Sequence, residues 1–267
     1  MRKEKLVKKQ AREALRGNTI PIIAGISLAA MIFIMLQNAL YLIWLSFNAI
    51  DVETEQMKDG FELPYLLGTA AVVIAATLLS PFVNGAYKAA ANAVSENNCE
   101  VTDLFYFFRG ARRYLKTMVI NMGLFLFFGT LNLLFGFGIK SLFGADGALG
   151  VVGAVIGGMI TFLLYSLILH YPLCLYGIDD SRGAARYIFG YLGFSFRHFW
   201  AFIRLTFSML GWILLCFFVA PVFYVGPYAL CAAVNSARWL KISDEEKAAK
   251  KYIPQPVYTG YTEYTGF

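Results

Sequence analysis

The chain has 267 residues, of which 58% are hydrophobic and 15% charged, with a formal net charge of +6. Soluble domains carry about a quarter of their residues as charges. With a mean hydropathy of +0.59, so few charges cannot cover a soluble domain of this size. The charges are also clumped. Runs of 34, 25, 23, 32 and 33 residues hold none, between Arg16 and Asp51, Glu62 and Lys88, Lys116 and Lys140, Asp146 and Asp179, and Arg204 and Arg238. About twenty apolar residues cross the bilayer core. The expected fold class is therefore all-α, a polytopic transmembrane helical bundle.

In chain order, residues 1–17 read as a basic amphipathic helix. Lys5, Lys8, Lys9, Arg12 and Arg16 alternate with Leu6, Val7, Ala11, Ala14 and Leu15 at helical spacing. Gly17 and Asn18 are stop signals, and Pro21 suits the start of a new helix. The apolar run that follows is longer than the 7–15 residues of a signal peptide's apolar core, so it is read as an uncleaved first span, about 20–48. Further spans are expected at Pro64 to about Ala86, 116–139 and 148–176. The last charge-free run is too long for one span. Split at Pro221, it gives a fifth at 199–219 and a sixth at 222–239. Residues 18–240 thus form a six-span membrane domain. A capping box, Ser243 with Glu246, is expected to open a short cytoplasmic helix over 241–253. After it comes a low-complexity Tyr/Thr-rich tail, 254–267, with the composition of a disordered or partner-binding segment.

Two segments between spans have the pattern of interfacial amphipathic helices. In 102–116, Arg109, Arg112, Arg113 and Lys116 form one basic stripe, with Leu104, Phe108, Ala111 and Leu115 as an apolar stripe. In 182–198, Arg182, Arg186 and Arg197 oppose Ile188, Leu192 and Phe196. Each basic side chain near an anionic leaflet contributes about 1 kcal/mol. Two readings stay open: these helices lie on the leaflet, or they pack under the bundle as lids. The two halves also share a pattern. A span ends near a proline (Pro81, Pro172), a glycine follows (Gly85, Gly177), and a basic helix leads into the next span. That is either a parallel tandem repeat or one stable hairpin used twice.

Charge sets the expected orientation. The loop 49–63 holds Asp51, Glu53, Glu55, Asp59 and Glu62 against Lys58 alone. Of the 23 Lys and Arg residues, all but Lys58 and Lys140 fall on the opposite side. Basic excess marks the cytoplasmic face. The protein is expected in the cell membrane, multi-pass, with both termini cytoplasmic.

Catalytic patterns are missing from the sequence: HExxH, GxSxG, Walker A, and GxGxxG before a helix. No cofactor or metal is expected, and the four cysteines read as free thiols. His170 and His198 read as packing or hydrogen-bonding residues. Carboxylates are absent from the expected spans, where a proton-driven carrier usually needs an ionisable group. Polar residues at depth are Gln37, Asn38, Asn121 and Asn132. They are read as helix-to-helix hydrogen-bonding groups or as the lining of a cavity. Gly153 and Gly157 form a GxxxG pair read as internal packing before dimerisation.

Several segments carry a resemblance: Ala11-Arg12-Glu13-Ala14-Leu15-Arg16-Gly17-Asn18, Pro81 to Tyr87, Asp103-Leu104-Phe105 with Phe108, Phe207-Ser208, Gly211-Trp212 and Pro227-Tyr228. In these the chain resembles an uncharacterised bacterial integral membrane family, domain of unknown function 975. It is also similar to the membrane domain attached to some glycerophosphodiester phosphodiesterases. Tyr171-Pro172-Leu173 stands where that family has Ile-Pro-Gly. The resemblance implies a multi-span membrane protein and brings no catalytic residues. Nothing outside the spans has the roughly 250 residues of a catalytic barrel, so the phosphodiesterase domain is not expected here.

The expected function is non-enzymatic: a membrane-organising or partner-binding protein contacting anionic lipid through Arg109, Arg112, Arg113, Lys116, Arg182, Arg186 and Arg197. A protein partner would engage the N-terminal helix or the tail, and no nucleic acid is expected. The alternative is a small-solute transporter or permease-like subunit.

Overall fold

A computed structural model describes residues 3–46, 62–143, 147–215 and 219–252. All regular structure among them is helical: α1 (Lys3–Leu15), α2 (Thr19–Ser46), α3 (Glu62–Glu96), a 3-10 segment (Val101–Phe108), α4 (Ala111–Phe143), α5 (Gly147–Leu164), a π segment (Tyr165–His170), α6 (Tyr171–Ile178), α7 (Ala184–Arg197), α8 (Phe199–Leu215) and α9 (Val219–Tyr252). Three helical stretches are long and apolar enough to cross a membrane: Ala70–Glu96, Ala111–Phe143 and Leu149–Ile178. The bent pair α1–α2 makes a fourth if counted as one span. This is a membrane protein by that measure. At 17 residues, α8 rises about 26 Å, short of a 30 Å hydrocarbon core.

The breaks between helices have local causes. Gly17 takes a φ of +91°, a left-handed conformation that costs glycine little, and the chain turns by 96° from α1 into α2. The buried Asn18 holds that corner. Its Nδ2 donates to the carbonyls of Ala14 and Asn97, and its Oδ1 accepts from the backbone N–H of Cys99. Gly110, at φ +103°, separates the 3-10 segment from α4. The single amphipathic helix expected over 102–116 is therefore two elements, and its basic stripe is divided at the break. Pro172 has no N–H for the carbonyl of Ile168. The helix meets this by widening to the π form over Tyr165–His170, so α5, π segment and α6 form one rod.

Two further expectations are corrected. α9 runs unbroken through Ser243 and Glu246 to Tyr252, so no cap opens a separate helix there. Glu, Lys and Ala favour continuation, and Asp244 is held in place by His198 at 2.9 Å and Arg197 at 3.7 Å. Pro221 sits in the first turn of α9, where its missing N–H costs nothing, and not in the turn itself. α8 and α9 run antiparallel: His198 meets Asp244, and Arg204 shares a cavity with Trp239 and Ser243. One straight helix from 204 to 238 is thereby excluded. The loop 49–61, Cys216 and the tail 253–267 lie outside the described residues.

The core gathers at the basic end. α3 continues ten residues beyond Ala86 as an alanine-rich helix whose Ala89, Ala90, Ala91 and Ala93 are buried. Small side chains let α1, α6, α9 and the 3-10 segment close on it. At Gly85 an added Cβ would stand 2.1 Å from the Leu104 carbonyl oxygen, and at Gly177 2.8 Å from that of Tyr87. The two glycines of the repeated proline–glycine pattern are thus points of backbone contact. Phe107 stacks on Tyr176 and Tyr171 on Phe202, with ring centroids 4.9 and 3.5 Å apart. At the other end, Leu67, Ile74, Leu126, Leu134, Leu142, Leu149 and Val155 are exposed. Gly153 meets Phe143 and Ile139 of α4, so the GxxxG pair packs within the chain.

Candidate lipid-facing interface

The basic side chains of this end divide into those consumed by ion pairs and those left at the surface. Two aspartates at the end of α6 do the sorting. Asp180 accepts from the Tyr106 hydroxyl at 3.1 Å and pairs with the Arg113 guanidinium at 3.4 Å, while Lys116 donates to its backbone carbonyl. Arg113 also lies over the Tyr106 ring at 4.2 Å, and Lys116 over Tyr187 at 5.0 Å. Asp179 pairs with Lys241 at 2.8 Å and Arg182 at 3.7 Å, and accepts from the Ser181 hydroxyl at 2.7 Å. Its backbone carbonyl accepts from the hydroxyls of Tyr187 and Tyr191. Partial burial works against the charge of Asp179. The hydrogen bonds from Lys241 and Ser181 outweigh it and hold the carboxyl well below the usual carboxylate range. Burial pushes the Tyr187 hydroxyl up to about 12.

Arg113 and Lys116 are therefore engaged by protein partners, and Arg182 leans on Asp179. Arg109 is exposed and donates to the Thr102 carbonyl at 3.2 Å. Arg197 is exposed and pairs with Asp244. Arg112 and Arg186 are exposed, with no ion pair among the described residues. α7 buries Tyr187, Tyr191, Leu192 and Ser195 against the bundle and leaves Arg186, Phe189 and Phe196 outside. It is a lid that also presents a mixed basic and aromatic outer face. Beside it Trp200 is 75% exposed. The interfacial belt of membrane proteins favours such aromatic residues.

The pairing role of Asp179 and Asp180 was not read from the sequence. The available signal was an Asp-Asp pair in a chain so poor in charge. The basic N-terminal segment forms the helix α1 over Lys3–Leu15, and its apolar face meets protein. Val7, Ala11, Ala14 and Leu15 are buried. Asn235 donates to the Val7 carbonyl and, with Trp239, to the Gln10 side chain. Lys5, Lys9, Arg12 and Arg16 remain exposed.

Three of the four polar residues expected at depth have described side chains, and each has its own partners. Asn38 is exposed and donates back to Ile34 of its own helix, and the Gln37 side chain lies outside the described residues. Asn132 accepts from Thr161 at 2.6 Å. Asn121 donates to Ser80 at 2.7 Å and to Asn84 at 2.8 Å, which ties α4 to α3 beside the Pro81 turn. Asn84 Nδ2 and Asn121 Oδ1 have no partner. No group of three metal-ligating side chains occurs among the described residues. Compared with protein-family models, with curated proteins and with solved structures, the chain finds no match.

Proposed function

We propose that this chain is a non-catalytic integral membrane protein, crossing the bilayer six times with both termini cytoplasmic, whose basic end contacts the anionic inner leaflet and organises lipid or a protein partner there. One observation carries the reading. Beside the side chains held by Asp179, Asp180 and Asp244, the cations Lys5, Arg12, Arg16, Arg112 and Arg186 stand exposed at the same end as Phe189 and Trp200. Cations and amphipathic aromatics together suit a headgroup layer. The antiparallel α8 and α9 support counting them as a fifth and sixth span, and the resemblance to the uncharacterised family agrees with a multi-span protein.

The test is direct. Full-length protein stripped of lipid in neutral detergent should melt higher on adding phosphatidylglycerol than on adding phosphatidylcholine, and salt should shrink the difference. Equal stabilisation by both lipids would remove the electrostatic contact. A second reading, a small-solute carrier, draws on the unpartnered amide atoms of Asn84 and Asn121. Solute uptake into vesicles that is lost in Asn121→Leu would favour it.

A further inference from the structure

α1 sits on the bundle the opposite way round from a helix that dips its apolar face into lipid. Its apolar face meets the far part of α9, from Asn235 to Ile242. Its basic face looks further along α9 and α8, toward their apolar halves. Tyr228 lies seven residues before Asn235, about 10 Å along the helix axis. It lines a cleft of about 410 Å³ with Lys5, Lys8, Lys9, Arg12 and Arg16. On α8, Arg204 and Leu205 share a cavity with Leu6 and Val7, whereas Lys8 reaches one turn deeper to the Ser208 carbonyl at 2.7 Å. The cations are thus turned toward the level at which apolar helices enter lipid.

The cleft is strongly positive. Among the described lining residues only Glu13 opposes the five cations, and it pairs loosely with Lys9 at 3.8 Å. Arg12 and Tyr228 line the same cleft. Tyr228 stacks on Tyr224 with ring centroids 6.1 Å apart, and Tyr224 and Phe223 are exposed. An apolar wall therefore runs from the cations along α9.

We propose that this cleft holds the phosphate headgroup of an anionic phospholipid, with its acyl chains lying along Tyr224 and Phe223. The proposal rests on the reading of the basic end as a lipid contact, and adds where the lipid sits. The guanidinium of Arg12 matches two phosphate oxygens, while Lys5 and Lys9 act as point charges. The apolar wall selects a lipid over a soluble phosphate.

The experiment uses full-length protein in nanodiscs of phosphatidylcholine with a minor share of phosphatidylglycerol, and counts the lipid retained by native mass spectrometry. The triple variant Lys5→Gln, Lys9→Gln, Arg12→Gln should lose phosphatidylglycerol by roughly a hundredfold in affinity at low salt. The pair Arg112→Gln, Arg186→Gln should leave that retained lipid in place. All three α1 side chains are exposed, so the triple variant should melt close to wild type, and Lys5→Arg with Lys9→Arg should keep the lipid. Retention by the triple variant, with loss in the Arg112 and Arg186 pair, would overturn the cleft and leave the broader reading standing. Equal retention of both lipids by wild type would overturn both. Displacement of the lipid by soluble glycerol 3-phosphate would make the ligand a free phosphate and overturn the proposal.

Discussion

At the scale of single residues, backbone contact at Gly85 is the tightest among the described glycines. Gly85→Ala drives a methyl group into the Leu104 carbonyl, backbone that cannot turn aside. We expect a loss of at least about 3 kcal/mol, read as a large drop in melting temperature in detergent. Gly129 has nothing within 4 Å of the same position, and Gly129→Ala should be neutral or gain up to about 1 kcal/mol. Equal effects of the two would show that Leu104 does not approach α3 as described. Asp179 makes a second case. Its carboxyl is held below the ordinary value near 3.9, so the stability it contributes is present at neutral pH. That stability is lost as pH falls below about 4 toward the folded-state value. Asp179→Asn should therefore lower the melting temperature at pH 7 and converge on wild type in acid. Parallel curves from neutral to acid pH would refute this.

At the scale of elements, α1 is fastened by its corner as much as by its face. Asn18 joins Ala14, Asn97 and Cys99, and these bonds link α1 to the segment that follows α3. Asn18→Ala leaves the Cys99 N–H and two carbonyls without their partner, at a cost of about 1–3 kcal/mol. Hydrogen exchange should speed up in 3–15 and 97–108 while 121–124 of α4, where Asn121 and Leu124 are buried, stays protected. A uniform increase across the chain would mean that the corner is not a local fastening. The π segment belongs to the same scale. Its position one turn ahead of Pro172 follows from the hydrogen bond that proline cannot make, and it carries the rod on to the Asp179–Asp180 bend.

At the scale of the whole molecule, the six-span reading makes a topological demand. In a background lacking the native thiols, a cysteine at position 55 should react with an impermeant reagent in intact cells and one at 258 should not. Labelling at 258 would defeat the cytoplasmic placement of both termini. The all-helical membrane character was legible from composition and charge-free runs, because a bilayer forces every backbone polar group to be satisfied within its own helix. The turn at Gly17–Asn18 and the basic helix before it were legible for a similar reason, since capping and periodicity are local. The fate of each cation was not. Arg113 and Arg112 are neighbours of identical chemistry, yet one is bound by Asp180, 67 residues further on, and the other is exposed. Likewise Asn121 found Ser80 and Asn84, while Asn38 bonds back to Ile34 of its own helix. Helical periodicity tells which residues share a face but not what that face meets. In this chain the meeting is set by the convergence of α1, α3, α6 and α9 on a knot of alanine, glycine and tyrosine at the basic end, and only the tertiary structure decides it.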